Sequence, residues 1–110
     1  WSNPLDNRIN YTRKVSWITG AAMMIRRADF LALGGWRGHI FIGGYYEDCD
    51  LAMRVRFELG KSIYFCADAT LVHEVGSTGG NPRFMENSAK FHRLWDDKIV
   101  VDNPYKIGGI

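Results

Sequence analysis

Three carboxylates fall within four residues at Glu47-Asp48-Cys49-Asp50, with Gly43 and Gly44 ahead of them and His73 further along the chain. Carboxylates with an imidazole suit two kinds of chemistry: a general base that takes a proton from an attacking hydroxyl, and a site for a divalent cation that neutralises a charged leaving group. An acid pair with one intervening residue is a weak signal alone, because acids in a first helical turn are also stabilised by the helix macrodipole. A lone His73 is weaker still, being more often a satisfied, half-buried histidine than a ligand. His39 and His92 have no acidic or nucleophilic neighbour in a recognisable arrangement and are read as surface or helix-face residues. Ser77 and Thr78 among Gly76, Gly79 and Gly80 lack the lysine and spacing of a phosphate-cradling Walker loop, so an ordinary connection is expected there. Trp17, Trp36 and Trp95 are of a type that stacks on a sugar or a base, but Trp95 reads as core and Trp36 is balanced between the two roles.

These residues have to be positioned by a small set of elements. Residues 1–14 lack a clear period and read as an irregular or linking segment, with the domain proper over 15–110. Ser16 to Ile25 is dense in apolar and β-compatible side chains and predicts a largely buried strand, in which Gly20 marks a close approach and a ligand-facing position. Asp29 to Leu33 predicts a short helix with Phe30 and Leu33 inward, stopped by Gly34 and Gly35, after which Trp36 is expected to turn back into the core. The acid cluster opens a second helix with Leu51, Ala52, Val55 and Leu59 on one face, ended by Gly60. Strands are expected at Ser62–Cys66 and Ala69–Val75, with Asp68 in the turn between them. Phe84, Ser88, Phe91 and Trp95 share one face of a last helix.

The 110 residues, 46% hydrophobic and 14% aromatic, are enough for one core and too few for two. A charged fraction of 24% and a net charge of +2 argue against disorder. Residues 1–40 carry six Lys/Arg against two acids, a modest basic bias compatible with a solvated face or with attraction to an anionic nucleotide or lipid head group. No basic stripe is interleaved with aromatics, so nucleic-acid binding is not expected. No run approaches the roughly 18 apolar residues of a membrane span, and no secretory leader is read. Cys49 and Cys66 are too few and too separated for a disulfide framework or zinc knuckle, and reduced thiols in a reducing, cytosolic setting are expected. The chain starts at Trp1 rather than Met, which predicts that it is a piece of something longer.

Taken in order, Trp17-Ile18-Thr19-Gly20-Ala21-Ala22-Met23-Met24-Ile25-Arg26-Arg27, Phe30, Leu33-Gly34-Gly35-Trp36, Gly44-Tyr45-Tyr46-Glu47-Asp48-Cys49-Asp50-Leu51-Ala52-Met53-Arg54, Leu59-Gly60, Ala67-Asp68-Ala69 and Val72-His73 resemble the second half of inverting family-2 glycosyltransferases of the GT-A fold. The likeness spans about residues 15–105, and the tail, with Asn87, Phe91, Trp95 and Asp102-Asn103-Pro104-Tyr105, resembles bacterial members. It implies an α/β fold: a partial GT-A-like domain, a mixed sheet flanked by helices, without the N-terminal nucleotide-binding βαβ half.

Carried over by the resemblance, Asp48 is the catalytic base that deprotonates the acceptor hydroxyl, Glu47 positions the acceptor, and Gly20, Gly43, Gly44 and Trp36 approach the substrate. His73 matches a late histidine that helps hold a metal on the nucleotide diphosphate, while Asp50 and Arg54 brace the helix as an i, i+4 pair. The implied partners are a nucleotide-sugar donor and a glycan or lipid-linked acceptor in polysaccharide assembly, and the implied cofactor is Mg²⁺ or Mn²⁺ in the parent enzyme. The implied location is the cytoplasm, with peripheral association at the membrane face. The acidic nucleotide motif of the family lies upstream of anything in this chain, so the isolated piece is expected to be inactive, to bind no metal, and to self-associate through an unpaired sheet edge. The alternative is a non-catalytic glycan- or protein-binding module on a transferase scaffold. A metal-dependent hydrolase ranks last, since one histidine and a helix-start acid cluster supply too few ligands.

Overall fold

The computed structural model describes residues 6–74, 76 and 79–99. The chain runs β1 (Arg13–Val15), a 3₁₀ turn (Gly20–Ala22), α1 (Arg27–Ala32), α2 (Glu47–Phe57), β2 (Ile63–Phe65), α3 (Phe84–Trp95) and a closing 3₁₀ turn (Asp96–Lys98). The two strands pair antiparallel with Arg13 opposite Phe65 and Val15 opposite Ile63, and they form the whole sheet among the described residues. The result is a small mixed α/β unit.

Three helices form where the sequence places them. Phe30 and Leu33 are half-buried on and beside α1, and the chain leaves α1 through Gly34 and Gly35 at φ +79° and +72°, each returning its N–H to a carbonyl of the last turn. α2 begins at Glu47 as expected, and Gly60 follows it at φ +64°. α3 buries Asn87, Phe91 and Trp95 along one stripe.

The sheet departs from expectation. Arg13 and Lys14 belong to a strand rather than to an irregular segment, and the stretch Ser16–Ile25 is not one: it runs irregularly through the Gly20–Ala22 turn. A strand needs a hydrogen-bonded neighbour, and none of the described residues flanks this one. Met24 stands 95% exposed beside an open cavity of about 440 Å³ whose lining includes Ile18, Met23, Ile25, Leu51, Val55 and Ile63. The second expected strand is likewise absent over residues 69–74, where Val72 is 93% exposed, and Val75 lies outside the described residues. Only Ile63–Phe65 of the expected pair forms, followed by the turn at Ala67–Asp68. Trp36 does not return to the core. It remains 44% exposed, edge-on to Phe30 at 5.8 Å.

The core is Phe41, Met53, Phe91 and Trp95, which joins the glycine-rich loop before α2 to the faces of α2 and α3. At its centre is a charge. Asp50 is fully buried and accepts hydrogen bonds from Arg54 Nε at 2.9 Å, Trp95 Nε1 at 2.8 Å and the guanidinium of Arg37. Arg54, 1% exposed, spends its other donors on the carbonyls of Leu33 at 2.8 Å and Gly35 at 2.9 Å. Burial would raise the Asp50 carboxyl, but the guanidinium of Arg37, the indole of Trp95 and the charge of Arg54 together hold it below the usual carboxylate range. The i, i+4 pair expected between Asp50 and Arg54 is therefore present, with both partners buried.

Replacing Asp50 with Ala strands two guanidinium groups and an indole N–H, one of the guanidiniums fully buried, and is expected to cost about 3–5 kcal/mol, enough to unfold a unit of this size. Because the folded-state pKa is lowered, the Asp50 contribution is fully present above the unfolded value near 3.8 and is lost as pH falls through the folded one. Urea unfolding of wild type between about pH 7 and 2 should show that loss, and Asp50→Asn should be less stable at pH 7 with a flatter acid limb.

Candidate functional site

The acid-led N-terminus of α2 opens onto a cleft of about 820 Å³, within the range of small-ligand sites. Gly20, Gly43, Gly44, Glu47, Asp48 and His73, singled out from sequence, all line it. Trp36 does not. Its ring edge lies behind Gly20, where a Cβ would come within 3.8 Å of it and within 3.3 Å of the Asp48 Cβ. Gly20 is thus a close-approach position, and its partner is Asp48.

Asp48 is held by two peptide groups: Gly20 donates its N–H to Oδ2 at 2.9 Å, and Cys49 donates to Oδ1 at 2.8 Å. Thr19 supports the Gly20 turn by accepting the N–H of Ala21 at 3.3 Å. Glu47, one residue earlier, is held differently. Its Oε2 is buried with no hydrogen-bond partner, and burial, then the charge of Asp48, pushes its carboxyl above the ordinary range. The Cys49 thiol, half-buried against both acids, is pushed up to about 12 and stays protonated, while Cys66 is free and exposed. The two cysteines are unbridged.

The loop that delivers these acids takes four successive residues through positive φ: Gly43 at +80°, Gly44 at +87°, and Tyr45 and Tyr46 at +70° each. For the two tyrosines the left-handed conformation costs roughly 1–2 kcal/mol apiece. Two asparagines fix this path. Asn87, fully buried on α3, donates through Nδ2 to the carbonyls of Ile42 at 3.2 Å, Gly44 at 2.7 Å and Tyr45 at 3.4 Å. Asn81 donates to Ile42 at 3.1 Å and Gly44 at 2.8 Å, and packs so closely on Gly43 that a Cβ there would meet its amide at 3.0 Å. Lys90 reaches the carbonyl of Ile40 at 2.8 Å. Sequence reasoning did not assign these roles, although a polar Asn87 inside the apolar stripe Phe84, Phe91, Trp95 marks a buried group that must bond to something.

His73 is exposed and makes no described contact with the acids beyond sharing the cleft. Among the described residues no three of His, Cys, Asp and Glu gather as a metal site, so the residues in hand do not by themselves fit the expected cation. Ser77 and Thr78 lie outside the described residues.

The cleft therefore joins a fixed carboxylate, a second carboxyl whose pKa is raised by burial, and glycine backbone without side chains, a set suited to binding and deprotonating a hydroxyl. Against known proteins, the chain is 34% identical over 70 residues to the N-acetylglucosaminyl-diphospho-decaprenol L-rhamnosyltransferases of two Mycobacterium tuberculosis strains, CDC 1551 / Oshkosh and ATCC 25618 / H37Rv. The match covers 64% of this chain and 22% of those relatives, so the chain carries a glycosyltransferase-like region and spans about a fifth of their length. No protein-family profile and no solved structure matches it. No helix among the described residues is long and apolar enough to cross a membrane.

Because the folded-state pKa of Glu47 is raised, its ionisation opposes folding: the cost is absent below the unfolded value and grows as pH rises through the folded one. Glu47→Gln should accordingly raise the melting temperature at pH 7, and the gain should vanish below about pH 4. A Glu47→Gln melting temperature equal to wild type at both pH values would contradict the burial of this carboxyl.

Proposed function

We propose that this cleft is the acceptor side of an inverting glycosyltransferase site that uses a nucleotide-sugar. The observation that carries the reading is Asp48, lining the cleft at the start of α2 with both oxygens aligned by the N–H groups of Gly20 and Cys49. In the reaction the acceptor hydroxyl oxygen forms a bond to the anomeric carbon, the bond from that carbon to the diphosphate breaks, and the hydroxyl proton passes to the Asp48 carboxylate. Attack opposite the leaving group inverts the anomeric centre. Glu47, with a buried oxygen free of partners, accepts or donates a hydrogen bond to an acceptor hydroxyl, and Gly43 and Gly44 leave backbone open to the sugar.

The mycobacterial relatives are named for transfer of rhamnose to a diphospho-decaprenol-linked N-acetylglucosamine, which supports a lipid-linked glycan as acceptor; a place at the cytoplasmic membrane face is part of the same proposal. A divalent metal, Mg²⁺ or Mn²⁺, belongs to the proposal for the whole protein, where it would neutralise the diphosphate. The residues described here supply His73 and no complete set of ligands, and no step above is routed through the metal.

In the full-length protein Asp48→Asn, which keeps the side chain's shape and one acceptor oxygen, should lower transfer about 10²–10⁴-fold. Undiminished transfer would remove Asp48 from the chemistry. The donor half is expected to lie outside this chain, so calorimetric titration of the 110-residue chain with UDP, GDP and dTDP, with and without Mn²⁺, should give no binding heat. Metal-dependent binding abolished by His73→Ala would show that the donor subsite is here after all.

A further inference from the structure

Tyr45 and Tyr46 share the same left-handed backbone, yet only one of them is repaid by packing. The ring of Tyr46 is half-buried, 5.5 Å from Phe91 and 5.4 Å from Phe84, where it closes the top of the core. The ring of Tyr45 meets Phe84 edge-on at 5.4 Å and stays 44% exposed, with Phe84 itself 43% exposed. Both line the cleft that holds Asp48, together with Trp17, which is 51% exposed. A strained backbone that sets a bulky ring half in water is not explained by stability. Strain of this kind persists where neighbouring structure enforces it, and here the enforcing groups are on the page: Asn87 holds the carbonyls of Gly44 and Tyr45, and Asn81 holds that of Gly44 again.

We propose that Tyr45 and Phe84, with Trp17 on the same cleft, form an aromatic shelf that receives a pyranose ring of the acceptor, making Tyr45 a specificity-determining residue. The chemistry is that of an aromatic quadrupole: the electron-rich ring face attracts the polarised C–H groups of a sugar face, while the sugar hydroxyls, directed around its rim, remain free for Glu47 and Asp48. Exposed aromatic rings beside two carboxyl groups, Tyr45 and Phe84 set edge to face, match a molecule with one C–H-lined face and a polar edge. The inference rests on the glycosyl-transfer reading and adds the surface that recognises the acceptor.

The test uses methyl β-glucoside and methyl N-acetyl-β-glucosaminide as probes and sorbitol, a polyol without a ring face, as control, followed by proton NMR on the full-length protein. Upfield ring-current shifts of the glycoside ring protons, with matching changes at Tyr45, Phe84 and Trp17 and none with sorbitol, are expected. Tyr45→Gly is the informative variant because glycine accepts the same positive φ without strain. It should keep or raise the melting temperature and weaken glycoside binding by about tenfold, whereas Tyr45→Phe should bind like wild type. The shelf is overturned if wild type binds neither glycoside, if Tyr45→Gly binds them unchanged, or if Tyr45→Gly loses binding only by unfolding. Release of nucleotide diphosphate from donor sugars without added acceptor tests the transfer reading separately, and that release can remain intact when the shelf fails.

Discussion

The structure turns on one shared carboxylate. Asp50 is buried on α2 and takes hydrogen bonds from Arg54 one turn along, from Trp95 at the far end of α3 and from Arg37 in the loop after α1. Arg54 extends the reach of that carboxylate to the carbonyls that close α1, at Leu33 and Gly35. Three helices and the loop between the first two are thus referred to a single charged centre. With an apolar core as small as Phe41, Leu51, Ala52, Met53, Phe91 and Trp95 among the described residues, packing alone specifies little, and directional bonds to a buried charge fix which faces meet. Loss of either side of such a centre is severe because the other side is left charged and dry.

What this centre holds in place is the entry to α2. The peptide path from Gly43 to Tyr46 runs against backbone preference, and it is kept there from α3: Asn87 reaches it from that helix and Asn81 from just before it, while Lys90 holds the carbonyl of Ile40 ahead of it. α3 can do this only because Trp95 anchors its other end to Asp50. The chain of dependence runs from buried charge, to helix placement, to strained loop, to the orientation of Asp48, whose second support, the N–H of Gly20, comes from the distant 3₁₀ turn. A site assembled from positions 28 residues apart is fixed to the extent that both segments are tied to the same frame.

The helices were legible in sequence because each carries its own punctuation: paired glycines after Leu33, an acid-rich first turn at Glu47, Gly60 beyond Leu59, and apolar residues at helical spacing from Phe84 to Trp95. The cleft residues Gly20, Gly43, Gly44, Glu47, Asp48 and His73 were legible as a group only through an ordered resemblance, since no one of their motifs is specific. The strands failed for a physical reason. Ser16–Ile25 and residues 69–74 are apolar enough for a sheet, but a strand is made by its neighbour, and neither finds one among the described residues. Trp36 failed similarly: an aromatic after a glycine pair suggests burial, yet the side chain leans on Phe30 at the surface. Asn81, Asn87 and Tyr45 were missed because their importance lies in backbone conformation, which periodicity does not report.

Three acids that look alike in sequence end in three different states, and the differences are environmental. Asp50 faces two guanidinium groups and an indole N–H, so its charge is spent internally and it belongs to the fold. Glu47 faces its own burial and the charge of Asp48, so it leans toward the neutral form. That leaves Asp48, gripped by peptide N–H groups rather than by side-chain cations, as the acid of the three that is both oriented and free of a counter-ion at the mouth of the cleft. Closely spaced carboxyl groups would ordinarily oppose one another, and the separation of their environments is what allows all three to open one helix. The same separation leaves one acid inside, holding the helices together, one with a buried and unpartnered oxygen, and one oriented at the cleft.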